Sequence, residues 1–309
     1  MSPTTLIDDL RQDWVRHLRA TNKAPRTVDI YSRAVVGLTA FLTDHGLPTD
    51  PAQVTRKHIE AHLTDLSQRE SPRKPGELIS PAYVSQVYRS LQQYFKWLHE
   101  IEEEIDRSPF DRMKPPIVPE KLVPILTDDH IRSILDTCKG ASFDERRDNA
   151  IIRMFIDTGA RRSEIANIQL DDLDFTTDTV AVLGKGRRPR IVPFGDKTAV
   201  AVRRYIRTRT RHKHSDSPAL WLGHSGALAS DAIRLMLSRR GKQAGVSNLH
   251  AHRFRHTAAH AWLANGGQEQ DLMMIAGWRS PQMLSRYGAS AASERALAAH
   301  KRARLGDRF

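Results

Sequence analysis

Apolar positions recur at helical spacing over most of the first hundred residues. Leu6, Leu10, Trp14 and Leu18 fall four apart, which predicts one amphipathic helix. Val35, Leu38, Phe41 and Leu42 mark a second helix over 26–44 that stops before Gly46. A third, shorter helix is predicted over 56–67. The fourth is marked most clearly. Ser80 stands as N-cap, Pro81 fills the first helical position, and Val84, Val87, Leu91, Tyr94, Phe95 and Leu98 form its apolar stripe. Between the third and fourth helices, 68–76 reads as a charged loop with two prolines.

The pattern then breaks. Pro109, Pro115, Pro116 and Pro119 stand among Arg and Lys residues and bar a long helix, so 106–124 reads as an extended basic linker. Helical periodicity resumes near Leu126. Thr127 can cap a helix whose first turn holds Asp128 and Asp129, where the helix dipole favours acids. A helix over 145–157 ends at Gly159, and β-type segments at 179–183 and 190–194 flank Gly184-Lys185-Gly186 as a hairpin. Helices follow over 198–210 and 230–243, and three more within 252–300, punctuated by Gly266, Gly267, Gly277 and Gly288. The expected class is mainly α. A four-helix N-terminal domain spans 1–105, the linker 106–124, and a helical domain with a small antiparallel β-sheet 125–309.

Composition narrows the function. The 309 residues include 48 Lys+Arg and 36 Asp+Glu, for a net charge of +12. That length suits two separate cores. The single cysteine, Cys138, excludes an intrachain disulfide. It shares an apolar helical face with Ile131, Ile134 and Leu135 and reads as buried and inert. No apolar run reaches the roughly 18 residues of a membrane span, and 1–14 lacks a signal peptide's apolar core. The expected location is the cytoplasm, with no membrane partner. The positive charge is bunched: 185–214 holds eleven Lys or Arg and one acid, Asp196. Residues 294–309 hold five basic residues against Glu294 and Asp307. Bunching of this kind favours a nucleic-acid partner over a merely solvated face. His250, His252, His256 and His260 crowd together, but no HExxH pattern or carboxylate cluster accompanies them as a metal site would require. Gly184-Lys185-Gly186 lacks the flanking residues of a nucleotide-binding loop.

Five separated spots in the second domain belong together. They are Thr158-Gly159-Ala160-Arg161-Arg162-Ser163-Glu164, Gly184-Lys185-Gly186 with Arg190 to Pro193 behind it, His252-Arg253-Phe254-Arg255-His256, Gly277-Trp278, and Tyr287, nine residues after Trp278. In this order they resemble the tyrosine site-specific recombinase (phage integrase) family, of the Xer/integrase type, over nearly the whole chain. The resemblance implies a SAM-like core-binding N-terminal domain followed by a catalytic domain. It implies an enzyme that cuts and rejoins duplex DNA at recombination sites through a 3′-phosphotyrosyl intermediate, for integration, excision or resolution, without metal or ATP.

The residue types suit that chemistry. Planar guanidinium groups can fork onto the non-bridging oxygens of a phosphoryl transition state, and Arg161 and Arg255 are the matching positions. Tyr287 matches the nucleophile, and nearby cations favour its phenolate. His252, three residues before Arg255, can face the same phosphate. Lys185 is the position the family uses as general acid toward the leaving 5′-oxygen. Trp278 stands where many relatives carry His, and offers one N–H donor without a transferable proton. Glu164 matches an acidic position that orients active-site groups, and Ser163 is expected to cap the following helix. Arg162 and Arg253 read as phosphate contacts or solvated residues, His260 as packing. The family further implies a homotetramer on DNA, exchange of the C-terminal tail (289–309) between protomers, and an accessory directionality factor. Two other readings stand beside this one: a catalytically silent DNA-binding or architectural protein on the same fold, and a type IB topoisomerase.

Overall fold

The structure, a computed structural model, describes residues 6–119, 124–184, 188–278, 284, 297, 300–304 and 306. The chain divides into two compact units, 1–121 and 122–309.

In the first unit, α1 (Ile7–Ala20), α2 (Pro25–Asp44), α3 (Arg56–Gln68) and α4 (Pro81–Glu100) enclose an apolar core. The α1 stripe is displaced by one residue from the expected one. Leu6 is the extended N-cap and lies 41% exposed, while Ile7 joins Leu10, Trp14 and Leu18 inside. Residues 7, 10, 14 and 18 follow the 3/4 alternation of a helix face better than a strict spacing of four. At α4, the Ser80 hydroxyl accepts from the Tyr83 N–H, as its capping role requires. The Tyr94 hydroxyl, buried, donates to the Ile7 carbonyl at 2.8 Å and ties α4 to the start of α1. Trp14 stacks on Tyr31 with ring centroids 5.5 Å apart.

Two features differ from the pattern-based picture. The segment expected as a loop at 68–76 pairs as an antiparallel hairpin, β1 (Glu70–Ser71) with β2 (Lys74–Leu78). Both strands are edges, so Pro75 interrupts no neighbouring ladder. Beyond α4, Ile105 and Phe110 fold back onto the first core, Phe110 meeting Tyr88 edge-on at 5.1 Å.

The second unit contains α5 (Asp128–Asp136), α6 (Phe143–Thr158) and the short α7 (Arg162–Ala166). The strands β3 (Leu173–Asp174), β4 (Thr179–Leu183) and β5 (Pro189–Pro193) follow. Then come α8 (Asp196–Arg209), the small hairpin of β6 (Leu222–Gly223) and β7 (Gly226–Ala227), α9 (Ser230–Gln243), α10 (Ala251–Ala264) and α11 (Glu269–Ala276). The sheet runs β3-β4-β5, all antiparallel, with Val180 opposite Val192 on its buried face. The hairpin was legible in the sequence; the two-residue β3 was too short to leave a pattern. Thr127 caps α5, and Ser142 caps α6 in a reciprocal box with Glu145. α6 packs against both α8 and α10, and Ile151, Phe155, Val202, Trp221 and Phe254 share its core. Cys138 is buried there, and burial raises its thiol pKa. Most of the expected third helix of 252–300, and of the C-terminal tail, lies outside the described residues.

Candidate active site

Gly159 starts the site. It ends α6 in the left-handed conformation (φ 53°), which favours glycine. A Cβ at that position would stand 3.2 Å from the Ala258 Cβ, so glycine also lets α10 pass closely. The Gly159 carbonyl accepts from Arg255 Nη1 at 2.9 Å. Two residues later, Arg161 is the N-cap of α7. One glycine turn thereby brings together two arginines from distant parts of the chain.

Glu164 organises the Arg161 side. Its Oε2 accepts the Arg161 backbone N–H, and its Oε1 accepts from Arg161 Nη1, both at 2.7 Å. Arg190, on β5, forks onto the same carboxylate, Nη1 to Oε1 at 3.0 Å and Nη2 to Oε2 at 2.6 Å. The side chain of Glu164 is 1% exposed. Burial by itself would raise its pKa. The Arg190 guanidinium, the Arg161 N–H and the Arg161 guanidinium outweigh burial and bring it to about 2.

The C-terminal end of α11 closes the arrangement. Its last carbonyls carry the negative end of the helix dipole and lack intrahelical partners. Ile275 O accepts from Arg190 Nε at 2.8 Å, and Ala276 O accepts from Arg255 Nη2 at 2.6 Å. Gly277 follows with φ 64°, and a Cβ there would come within 3.3 Å of Arg190 Nη1. The buried Trp278 then lies against Arg255, whose Cζ is 5.1 Å from the ring centroid. Arg161 and Arg255 are therefore linked through Glu164, Arg190 and the end of α11. Arg255 is 3% exposed, whereas the Arg161 side chain is 31% exposed and opens toward solvent. The Glu164 carboxylate pairs with two guanidiniums, and Arg255, held by neutral carbonyls, adds a third cation, so the region is net cationic and suited to an anion with several oxygens.

His252 is one helical turn before Arg255 and open to solvent on one side. Partial burial, then the Arg255 and Arg161 cations, lower its pKa, so it is neutral at pH 7 and presents one donor and one acceptor. His256 follows with its ring 6.2 Å from His252, and burial, then neighbouring His252, His250 and Arg255, bring it to about 4.

Of the residues singled out in the sequence, Arg161, Glu164, His252, Arg255 and Trp278 gather in this region. Lys185 and Tyr287 lie outside the described residues. Gly184, directly before Lys185, approaches the site: a Cβ there would stand 3.4 Å from Arg190 Nη1. Leu284, three residues before Tyr287, packs in the cluster that contains Trp278.

Other expectations need correction. Ser163 does not cap α7; Arg161 holds the extended N-cap conformation, and Glu164 takes its N–H. Arg253 is neither solvated nor placed for phosphate. It is buried, donating Nη1 to Ser247 O at 2.7 Å, with Nε and Nη2 toward Pro124 O and Ile125 O. Arg162 donates Nε to Ser230 Oγ at 2.9 Å and pairs with Asp231. The basic run 185–214 overstates the surface charge, because Arg190 and Arg209 point inward; Arg209 satisfies the carbonyls of Ser215, Ser217, Ala219 and Leu220. The role of Arg190 was missed. Arg190 stood in the ordered motif behind Lys185 without a role, and the signal for one was its position two residues from the inward Val192 on an alternating strand.

Comparison with known proteins identifies the family. The sequence pattern of the phage integrase family matches residues 124–294, and that of the phage integrase N-terminal SAM-like domain matches 10–105. The chain is 29% identical over 265 residues to a tyrosine recombinase XerC of Oceanobacillus iheyensis, covering 84% of each chain. It is 27% identical over 298 residues to that of Chromohalobacter salexigens, covering 93% of this chain and 94% of the relative. Among solved structures, a XerH site-specific recombinase bound to palindromic difH substrate, a post-cleavage complex, superposes with a TM-score of 0.73 at 15% identity. That match covers 94% of this chain and 84% of the other. A lambda integrase tetramer bound to a Holliday junction gives 0.66 at 15% identity, over 89% and 78% of the two chains. Because the family match extends over more than half of the sequence, the chain belongs to the phage integrase family, the tyrosine recombinases that cut and rejoin DNA.

Proposed function

We propose that the enzyme performs site-specific recombination on duplex DNA with Tyr287 as nucleophile. The phenolic oxygen of Tyr287 attacks the scissile phosphorus. The bond to the 5′-oxygen breaks, and a 3′-phosphotyrosyl ester forms. Arg161 and Arg255 hold the non-bridging oxygens as their charge grows, the term that contributes most to such reactions. Neutral His252 donates to a phosphate oxygen or relays the tyrosine proton, and the Trp278 indole N–H donates without exchanging a proton. Lys185 protonates the leaving 5′-oxygen. The ester conserves the energy of the broken bond, so a second 5′-hydroxyl can reverse the attack and rejoin strands. Glu164, with Arg190, acts through Arg161 as a positioning group.

The observation that carries this reading is the chain of contacts joining Arg161 to Arg255 through Glu164, Arg190 and the end of α11. In the same reading, 1–105 is the core-binding domain, 106–124 the linker and 125–309 the catalytic domain. Recombination requires two duplex sites in one assembly. The tetrameric state of the lambda integrase neighbour supports a homotetramer here. Exchange of the C-terminal tail and an accessory directionality factor complete the proposal, with the cytoplasm as the place of action.

The test is strand exchange between two duplexes carrying a site obtained by binding selection. Recombinant products with wild-type protein and none with Tyr287→Phe support the proposal. Relaxation of a supercoiled plasmid without two-site products favours the topoisomerase reading. Tight, selective binding without any covalent product favours the silent DNA-binding reading.

A further inference from the structure

The second unit has another concave surface, outside the pocket of Arg161 and Arg255. α6 and α8 lie side by side, and with the turn at 138–141 they border an open cleft of about 540 Å³. Arg146 and Arg153 line it from α6, Lys197 and Arg204 from α8, and Asp196 is the one carboxylate on its walls. Residues 146, 149 and 153 share one face of α6, and 197, 201 and 204 share the facing side of α8. Arg153 precedes Gly159 by six residues, about 9 Å along the helix axis.

Several cations on other helices are neutralised locally, and these four are not. Arg33 pairs with Asp29, Arg56 with Glu60, Lys96 with Glu100 and Arg132 with Asp129, each three or four residues apart. Among the described residues, Arg146, Arg153, Lys197 and Arg204 have no carboxylate at ion-pair distance. Two of them are held by neutral groups instead. Arg146 Nη1 donates to Thr208 Oγ1 at 2.7 Å, and Arg153 Nε donates to Asn149 Oδ1 at 3.1 Å. Asn149 is fixed in turn by donating Nδ2 to Cys138 O at 3.3 Å. Neutral partners orient a guanidinium without cancelling its charge, and its other N–H edges suit anionic oxygens.

We infer that the cleft between α6 and α8 is a second phosphate-binding surface, distinct from the scissile-phosphate pocket, that takes the backbone of duplex DNA. The inference rests on the reading of the chain as a DNA-acting recombinase. Lys197 and Arg204 are seven residues apart on α8, about 10 Å, which spans two or three phosphates of one strand. Four unneutralised charges at that spacing match a repeating phosphate chain better than a single ion.

The test uses the full-length protein and a fluorescein-labelled 60-base-pair duplex of random sequence, titrated from 50 to 200 mM salt. Both α8 positions are exposed, so Lys197→Ala/Arg204→Ala preserves the core. Each lost phosphate contact lowers the slope of log affinity against log salt by about 0.9, so the double variant is expected to lose nearly two units of slope. Its affinity at 50 mM salt should fall roughly tenfold or more. Arg132→Ala, already paired with Asp129, should leave the slope unchanged. A parallel titration with sodium tripolyphosphate separates a small ligand from DNA, and equally weak binding by wild type and double variant is expected. An unchanged slope in the double variant overturns the inference. So does tight tripolyphosphate binding that the double variant loses while retaining duplex binding. Wild-type protein that binds no duplex would instead contradict the recombinase reading, taking this inference with it.

Discussion

The two units treat charge in opposite ways. In the first, the core is apolar and aromatic, and cations pair at the surface, as Arg33 does with Asp29. Exposed helix pairs of that kind contribute about 0.3–0.5 kcal/mol. In the second, carboxylates lie inside. Asp148 is fully buried and accepts from Arg147, Arg239 and Arg240, and Glu164 is buried against Arg161 and Arg190. Removing paired charges from water is costly, and apolar packing is usually as stable. What the second unit gains is placement. Guanidiniums held by fixed carboxylates and helix-end carbonyls keep their positions before substrate arrives, and catalysis by charge stabilisation depends on that preorganisation.

This contrast has measurable consequences. Asp148→Asn removes the carboxylate shared by three arginines and should destabilise the second unit by about 3–5 kcal/mol in urea unfolding. A loss below 1 kcal/mol would mean that buried charge matters as little there as surface charge does in the first unit.

Arg255→Lys keeps the charge but loses the fork that binds the Gly159 and Ala276 carbonyls. The single-turnover rate of covalent cleavage on a nicked duplex should fall about 10²–10³-fold. A rate within threefold of wild type would show that charge alone suffices.

Glu164→Gln tests the linkage of charge to stability. The carboxyl has a pKa of about 2 in the fold against an ordinary 4.5. A depressed value stabilises the fold fully above pH 4.5, and that contribution is lost as pH falls toward 2. Wild type should therefore exceed the variant by about 3 kcal/mol at pH 7, with the difference narrowing below pH 4.5. A pH-independent difference would assign the loss to packing. The smallest effect is expected in the first unit, where Leu38→Met, a swap of similar volume at a fully buried position, should cost less than about 1.5 kcal/mol in thermal unfolding.

The same contrast explains what the sequence revealed. The ends of α4 and α6 were legible because Ser80, Pro81 and Gly159 act locally, through capping, a fixed φ and left-handed backbone. The ordered motif located Arg161, Glu164, His252, Arg255 and Trp278 in one region, although nothing in their periodicity did so. Buried ion pairs were not legible. Arg190 meets Glu164 across 26 residues and Arg240 meets Asp148 across 92, and an apolar period carries no record of such partners. Arg253 and Arg255 look alike in the sequence. They diverge because they leave α10 on different sides, one toward Ser247 O and the other toward Gly159 O. The hairpin at 70–78 was hidden because its exposed strands bury no alternating face.

The central claim is that Tyr287 attacks a phosphate held by Arg161 and Arg255. Its most direct test is to trap the protein on a nicked duplex bearing its selected site, digest the adduct, and map the nucleotide-bearing peptide by mass spectrometry. The account predicts a 3′-phosphoryl group ester-linked to Tyr287, with adduct formation reduced in both Arg161→Ala and Arg255→Ala. A DNA end attached to any other residue, or an adduct that forms at the wild-type rate without those arginines, would contradict it.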